Sequence, residues 1–261
     1  MHDFSYQKAG SAADAASAAG SASDPKFLAG GQTLIPTMKQ RLAAPEQIID
    51  LAGCDDMKGI SADGGSVTIG AMTTHVTVAG STAIPALAAL AGGIGDPHVR
   101  NRGTIGGSVA NNDPAADYPA ACLGLGATIT TTKGSHSADD FFTGLFETAL
   151  DEDELITSVS FPVPEKAAYM KFDNPASRYA LVGVFVAKTA GGVRVAVTGA
   201  GEEGVFRASS IEAALNANWS ADAVDGADAS ADGLLSDLHA SAEYRASLIK
   251  TMAKRAVKAA G

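Results

Sequence analysis

Apolar residues along this chain come in short runs that switch between two periods. "GSVTIGAMTTHVTV" (65–78) sets Val67, Ile69 and Ala71 against small polar residues, the two-residue period of a half-buried strand. The same reading predicts strands around Phe4 and Tyr6, over Lys26–Ala29, in "EQIIDL" (46–51), in "ATITTTKG" (127–134) and over Leu155–Phe161. Helical spacing appears between them. An alanine-rich helix ends near Gly20, an amphipathic turn runs from Leu34 to Leu42, and a helix spans Ser81–Gly93, with proline in its first turn and glycines at its stop. Another is expected around "DYPAACLGLG" (117–126).

Pro162 and Pro164 interrupt the pattern, which places a domain boundary there: 1–163 and 164–261. Beyond it, "YALVGVFVAK" and "GVRVAVTGAG" flank the turn "TAGG" as a hairpin, and "SSIEAAL" is a helix. "SADAVDGADASADG" reads as an acidic linker. The last helix is expected to bury Tyr244, Leu248, Ile249, Met252 and Ala256 and to turn Arg245, Lys250 and Lys254 to solvent. Strands and helices mix in an α+β manner.

Composition narrows the function. A net charge of −10 argues against nucleic acid, whose phosphates want a basic footprint. Only two cysteines, Cys54 and Cys122, stand far apart, so this chain alone builds no Fe–S or zinc site, and both thiols are expected to be buried. The first twenty residues lack the basic start and apolar stretch of a signal peptide, and the longest apolar run, Tyr179–Ala187, is too short to span a bilayer. A cytoplasmic protein is expected.

Glycine, at 29 residues, is in excess, and the excess gathers in short segments. "AGGQTLIP" (29–36) lies between a strand and a helical turn, where a glycine pair lets N–H groups face an anion. It is neither a GxxxxGK[ST] loop nor a GxGxxG fingerprint, and a tight turn alone would also explain it. "TIGGSVANNDPAADYPA" (104–120) repeats the pair between the hydroxyls of Thr104 and Ser108. Asn111, Asn112, Asp113 and Asp117 then offer donors and acceptors for a polyol such as a ribose or ribityl chain. Helix capping is the competing reading for Asp113, which precedes Pro114. Two backbone-lined loops and a polyol segment fit a dinucleotide. His75 and His98 have no partner at metal-ligand spacing and read as structural, and "DEDE" (151–154) reads as a solvated loop.

"FLAGGQTLIPTMKQRL", "GGIGDPHVRNRGTIGGSVANNDPAADYPA" and "DLHASAEYRASLIKTMAKRA" resemble the FAD-binding medium subunit of molybdenum hydroxylases, the family of carbon monoxide dehydrogenase medium chains and the xanthine dehydrogenase FAD domain. The resemblance runs through nearly the whole chain. It implies a PCMH-type FAD-binding domain of two α+β subdomains, then a C-terminal domain with a small antiparallel sheet and helices. It also implies that Leu28, Ala29, Gly30, Gly31, Gln32, Thr33, Leu34 and Ile35, with Thr104, Ile105, Gly106, Gly107 and Ser108, wrap the FAD pyrophosphate, mainly through backbone N–H groups. Asn111 and Asp117 would bind the sugar portion. Ile94, Ile105 and Ile156 would supply apolar contacts, Lys171 would lie near the flavin, and Tyr179 would cover its ring. Tyr179 follows Arg178 where an acidic residue is common in the family, and the competing reading makes it a strand-start aromatic of the C-terminal core.

No nucleophile, metal site or acid–base pair forms a motif, which suits a subunit whose cofactor carries the chemistry. By resemblance, a large molybdopterin-binding partner oxidises substrate and a small [2Fe–2S] partner passes electrons to the FAD, in a dimer of heterotrimers. A self-contained flavin oxidoreductase and a redox-inactive nucleotide-binding module are the alternatives.

Overall fold

The computed structural model describes Met1–Gly261 and divides into three layers of α+β structure. The first holds β1 (Ser5–Lys8), α1 (Ala12–Gly20), β2 (Pro25–Leu28), α2 (Leu34–Lys39) and β3 (Gln47–Asp50), with the strands parallel in the order β1-β3-β2. Parallel neighbours need a crossover: α2 supplies it between β2 and β3, while α1 carries the chain from β1 past the β3 position to β2. Its N-cap Ser11 accepts the Asp14 N–H, and Ala12, Ala15 and Ala19 pack the helix onto Ile49, Leu51, Cys54 and Met57. Helix α2 stops at Lys39, short of the expected Leu42, because Arg41 takes a left-handed φ of 60°.

The second layer contains β4 (Ile60–Asp63), β5 (Ser66–Gly70), α3 (His75–Ala79), α4 (Pro85–Gly92), α5 (Pro97–Arg102), α6 (Ile105–Asn111), α7 (Tyr118–Leu125), β6 (Thr128–Thr131), β7 (Ser135–Ser137), α8 (Ala138–Phe141), β8 (Phe142–Gly144), β9 (Glu147–Thr148) and β10 (Ile156–Pro162). Its sheet is antiparallel in the order β4-β5-β10-β6-β7, with β8 and β9 forming a separate hairpin. Every residue of α7 is buried, so it carries no polar face. It lies between this layer and the next, sharing a core with Phe185, Ala187 and Ala196.

The third layer is the antiparallel sheet β11 (Lys166–Asp173), β12 (Ala180–Thr189), β13 (Gly192–Gly201) and β14 (Gly204–Arg207), with α9 (Ser209–Ala217) and α10 (Ala242–Ala260) on its outer face. The expected hairpin is β12–β13, closed at Thr189–Gly192. The segment read as an acidic linker is instead packed: Ala221, Val224 and Ala227 enter the core, and Lys250 and Lys254 bind Asp225 from α10.

Helix α10 corrects a second expectation. Arg245 is only 2 % exposed, whereas Tyr244 is 47 % exposed. Leu248, Ile249, Met252 and Ala256 are buried as expected, so the exchange is confined to the helix's first turn. Arg245 Nη1 donates to the carbonyls of Leu181 and Gly199 (2.7 Å each), and Nη2 to Asp237 (2.8 Å), satisfying strand-end groups the ladder leaves open. Both cysteines are buried and free, and no helix is long and apolar enough to cross a membrane.

Candidate functional site

The two glycine motifs meet. A Cβ on Gly30 would lie 2.2 Å from the Arg102 carbonyl oxygen, so only glycine lets the loop after β2 touch the end of α5. A cleft of about 640 Å3 opens beside this contact, and its walls come from all three layers.

The first loop carries an unusual surplus. The N–H groups of Gly30, Gly31, Gln32, Thr33 and Leu34 donate to nothing within the chain, and all five residues line the cleft. Gly31 at φ +71° provides the turn that strings them together. Ala29 also lines the cleft, while Leu28 and Ile35 flank the loop without reaching the wall. Unpaired backbone donors in sequence make a concavity of positive potential.

The second loop is built differently. Thr104 caps α6, its Oγ1 accepting the Gly107 N–H. The Ile105 N–H goes to Thr73 O (3.1 Å), that of Gly106 to Ala71 O (2.9 Å), and that of Ser108 to Thr104 O (3.1 Å). The first two donors are spent on docking α6 against the segment that follows β5, where a Cβ on Gly106 would fall 2.5 Å from Ala71 Cβ, and the third closes the helix's own first turn. This differs from the expectation that both loops present free N–H groups. What this loop offers the cleft is surface and side chains: Thr104, Gly106, Gly107, Ser108 and Asn111 line it. Ser108 and Asn111, one helical turn apart, have side chains with no partner in the chain. Ile105 is fully buried in the core and does not reach the wall.

The two asparagines diverge. Asn112 leaves α6 in a left-handed conformation, and its Nδ2 donates to Gly144 O and Glu147 O, tying down the β8–β9 hairpin. It is not a polyol ligand. Asp113 Oδ1 accepts the Ala115 N–H in an Asx turn and does not cap a helix, and burial raises its carboxyl above the usual range. Asp117 stands just before α7 and is only 5 % exposed. Its Oδ1 accepts the Tyr169 hydroxyl at 2.5 Å, and Lys171 Nζ lies 3.3 Å away. Burial pushes this carboxyl up, and the lysine and tyrosine pull against it.

A family model described as the FAD binding domain in molybdopterin dehydrogenase matches residues 2–164, well over half of the chain. The chain belongs to that family. A second model, the CO dehydrogenase flavoprotein C-terminal domain, matches residues 167–260. The nicotine 6-hydroxylase medium subunit of Paenarthrobacter nicotinovorans is 35 % identical, over 98 % of this chain and 96 % of that one. The carbon monoxide dehydrogenase medium chain of Afipia carboxidovorans is 34 % identical over the same shares. A solved structure of reconstituted CO dehydrogenase from Oligotropha carboxidovorans superposes with a TM-score of 0.90 at 34 % identity, covering 99 % of this chain and 97 % of that one. The resemblance in the glycine motifs and the two-domain α+β architecture both hold.

The cleft of this molybdopterin-dehydrogenase FAD domain fits an extended dinucleotide. Unpaired N–H groups suit a pyrophosphate, the Ser108 and Asn111 side chains suit hydroxyls, and Ile94 and Ile156 bring apolar surface. Arg100 Nη1 holds Ile94 in place through the Ile94 and Gly95 carbonyls (2.9 Å each). Ile156 sits where the β10–β6 ladder shifts register before Ser158. Tyr179, 46 % exposed, also lines the cleft; burial and the carboxylates of Asp113 and Asp117 raise its phenol. Lys171 lies behind Asp117, off the wall.

Sequence reasoning missed several wall residues. His75 is buried with a neutral ring, its pKa lowered to about 4 by desolvation and by Arg100, and it packs 5.3 Å from the Tyr118 ring. Its structural reading stands, but nothing in "TTHV" announces a place in the cleft wall. The solvated-loop reading holds for the exposed Asp151 and Glu152 but not for Glu154: it is buried, accepts from Thr131 and from the Asp151 N–H, and lines the cleft. No cluster of three His, Cys, Asp or Glu side chains converges to hold a metal ion.

Proposed function

We propose that this chain is the FAD-carrying electron-transfer subunit of a cytoplasmic molybdenum hydroxylase. It takes electrons from the [2Fe–2S] clusters of a small partner, while a large molybdopterin-binding partner oxidises the substrate, in a dimer of heterotrimers. The observation that carries this reading is the run of five unpaired N–H groups, Gly30–Leu34, inside a cleft closed by the second glycine loop.

When bound, FAD supplies the exchange between one-electron and two-electron transfer. The chain's own residues hold and shield it. Gly30–Leu34 bind the pyrophosphate, with Leu28, Ala29 and Ile35 fixing the ends of that loop. Thr104, Gly106, Gly107 and Ser108 close it from the other side, and Ile105 anchors that helix in the core. Ser108, Asn111 and Asp117 meet the sugar hydroxyls. Ile94 and Ile156 give apolar contact, and Tyr179 covers the ring. The domain boundary falls between Pro162 and Lys166, so that 1–163 carries most of the site and 164–261 brings in Tyr179.

The visible spectrum of the purified chain, with the released chromophore identified by chromatography, tests this directly. Stoichiometric FAD is the expected result, with molybdopterin-binding and [2Fe–2S] chains copurifying. FMN, or no flavin after reconstitution with FAD, overturns it.

A further inference from the structure

Lys171 is charged, sits on edge strand β11, and yet has a side chain only 8 % exposed. A buried ammonium is costly unless its donors are matched. Here they are. Nζ donates to Gly93 O (2.9 Å) and Arg178 O (3.1 Å), with Asp117 Oδ1 at 3.3 Å and the exposed Asp173 carboxylate at 3.3 Å. An ammonium has three N–H donors, and the chain itself engages all three.

Apart from Asp173, the acceptors share one property: each adjoins the cleft wall. Gly93 precedes Ile94, Asp117 is itself on the wall, and Arg178 precedes Tyr179. Two of these acceptors belong to the N-terminal half, and the lysine and Arg178 to the C-terminal half. Tyr169, two residues back on the same face of β11, reaches Asp117 as well. Gly183 on the neighbouring strand makes room for it, since a Cβ there would lie 2.1 Å from the Tyr169 hydroxyl.

We infer that Lys171 is a positioning residue, a latch between the two halves that sets Ile94, Asp117 and Tyr179 before any cofactor arrives. It acts on the cleft through these three segments. That the cleft holds FAD rests on the function proposed above; the latch itself does not.

Trypsin offers a direct readout, because Arg178 is exposed and the carbonyl of its scissile bond is the one Lys171 holds. In the cofactor-free full-length chain, Lys171→Met keeps the stem and removes the ammonium. Cleavage after Arg178 should accelerate roughly tenfold, the effect of one charge-assisted hydrogen bond on a local opening equilibrium. Cleavage after Arg41 should not change, and the variant should bind added FAD roughly tenfold more weakly. Tyr169→Phe loosens Asp117 but not the Arg178 carbonyl, so it should be cut after Arg178 at the wild-type rate.

Weaker FAD binding with unchanged cleavage would mean that Lys171 touches the cofactor, and would overturn the latch. Unchanged cleavage and binding would overturn it too, as would equal acceleration at Arg178 in Tyr169→Phe, or at Arg41 in Lys171→Met, which marks general loosening. If the wild-type chain binds no FAD, the proposed function fails while the proteolysis comparison still decides the latch.

Discussion

Gly30→Ala probes the contact on which the cleft depends. The new Cβ would stand 2.2 Å from the Arg102 carbonyl oxygen and 2.7 Å from Gly103 Cα. Both are backbone atoms, so no side chain can rotate away. Ordinary contact begins near 3.4 Å, so the two glycine loops must part by about 1 Å. Overpacking of this kind costs about 1–3 kcal/mol. The parting also separates the unpaired N–H groups of the first loop from the wall formed by Gly107 and Ser108. If that cost falls on the bound arrangement, FAD should dissociate roughly 5- to 150-fold more readily. Flavin fluorescence titration of the cofactor-free chain measures this, with thermal unfolding alongside. Gly20→Ala is the control, since nothing lies within 4 Å of a Cβ there. Wild-type affinity together with an unshifted melting temperature in Gly30→Ala would refute the reasoning. Unchanged affinity with a lowered melting temperature would assign the contact to the fold alone.

Arg245→Met removes the donors that satisfy Leu181 O and Gly199 O inside the C-terminal layer. The cost should be about 2–4 kcal/mol, a melting temperature lower by roughly 5–15 °C, read by circular dichroism. His75 governs an acid dependence. Burial and the Arg100 charge lower its ring to about 4 in the fold against the ordinary 6.5, so between those values the unfolded chain binds the extra proton and stability falls as pH falls. The difference between wild type and His75→Phe should therefore shrink by about 3 kcal/mol from pH 7 to pH 4 in urea titrations, and a pH-independent difference would contradict it.

The parts legible in the sequence were those decided locally. Period-two alternation placed Val67 and Ile69 on β5, and the turn before Gly192 placed the β12–β13 hairpin. The glycine pairs announced both loops. Apart from the early stop of α2, which Arg41 decides locally, the misreadings share a cause: each was decided by a distant partner. A helical wheel admits Tyr244 or Arg245 on the buried face of α10, and carbonyls 64 and 46 residues away choose Arg245. "DEDE" reads as solvated until Thr131, 23 residues back, takes up Glu154. Asn111 and Asn112 are chemically identical neighbours, and a single left-handed residue sends one to the cleft and the other to a hairpin. Lys171 gives no local sign of its role because its acceptors Gly93 and Asp117 lie 78 and 54 residues before it.

The two glycine loops carry the argument one step further. Both are a Gly-Gly pair followed by a hydroxyl, the first pair just before α2 and the second in the first turn of α6, and sequence alone assigns them the same chemistry. In the fold they differ because α6 is laid against the segment that follows β5, whose carbonyls at Thr73 and Ala71 consume the donors of Ile105 and Gly106. Helix α2 has no such neighbour, so the donors of Gly30 to Leu34 stay free. Anion-binding capacity is thus what remains after the chain has satisfied its own backbone. On this reasoning Gly106 serves close packing at Ala71, and the free donors that suit an anion are those of the first loop.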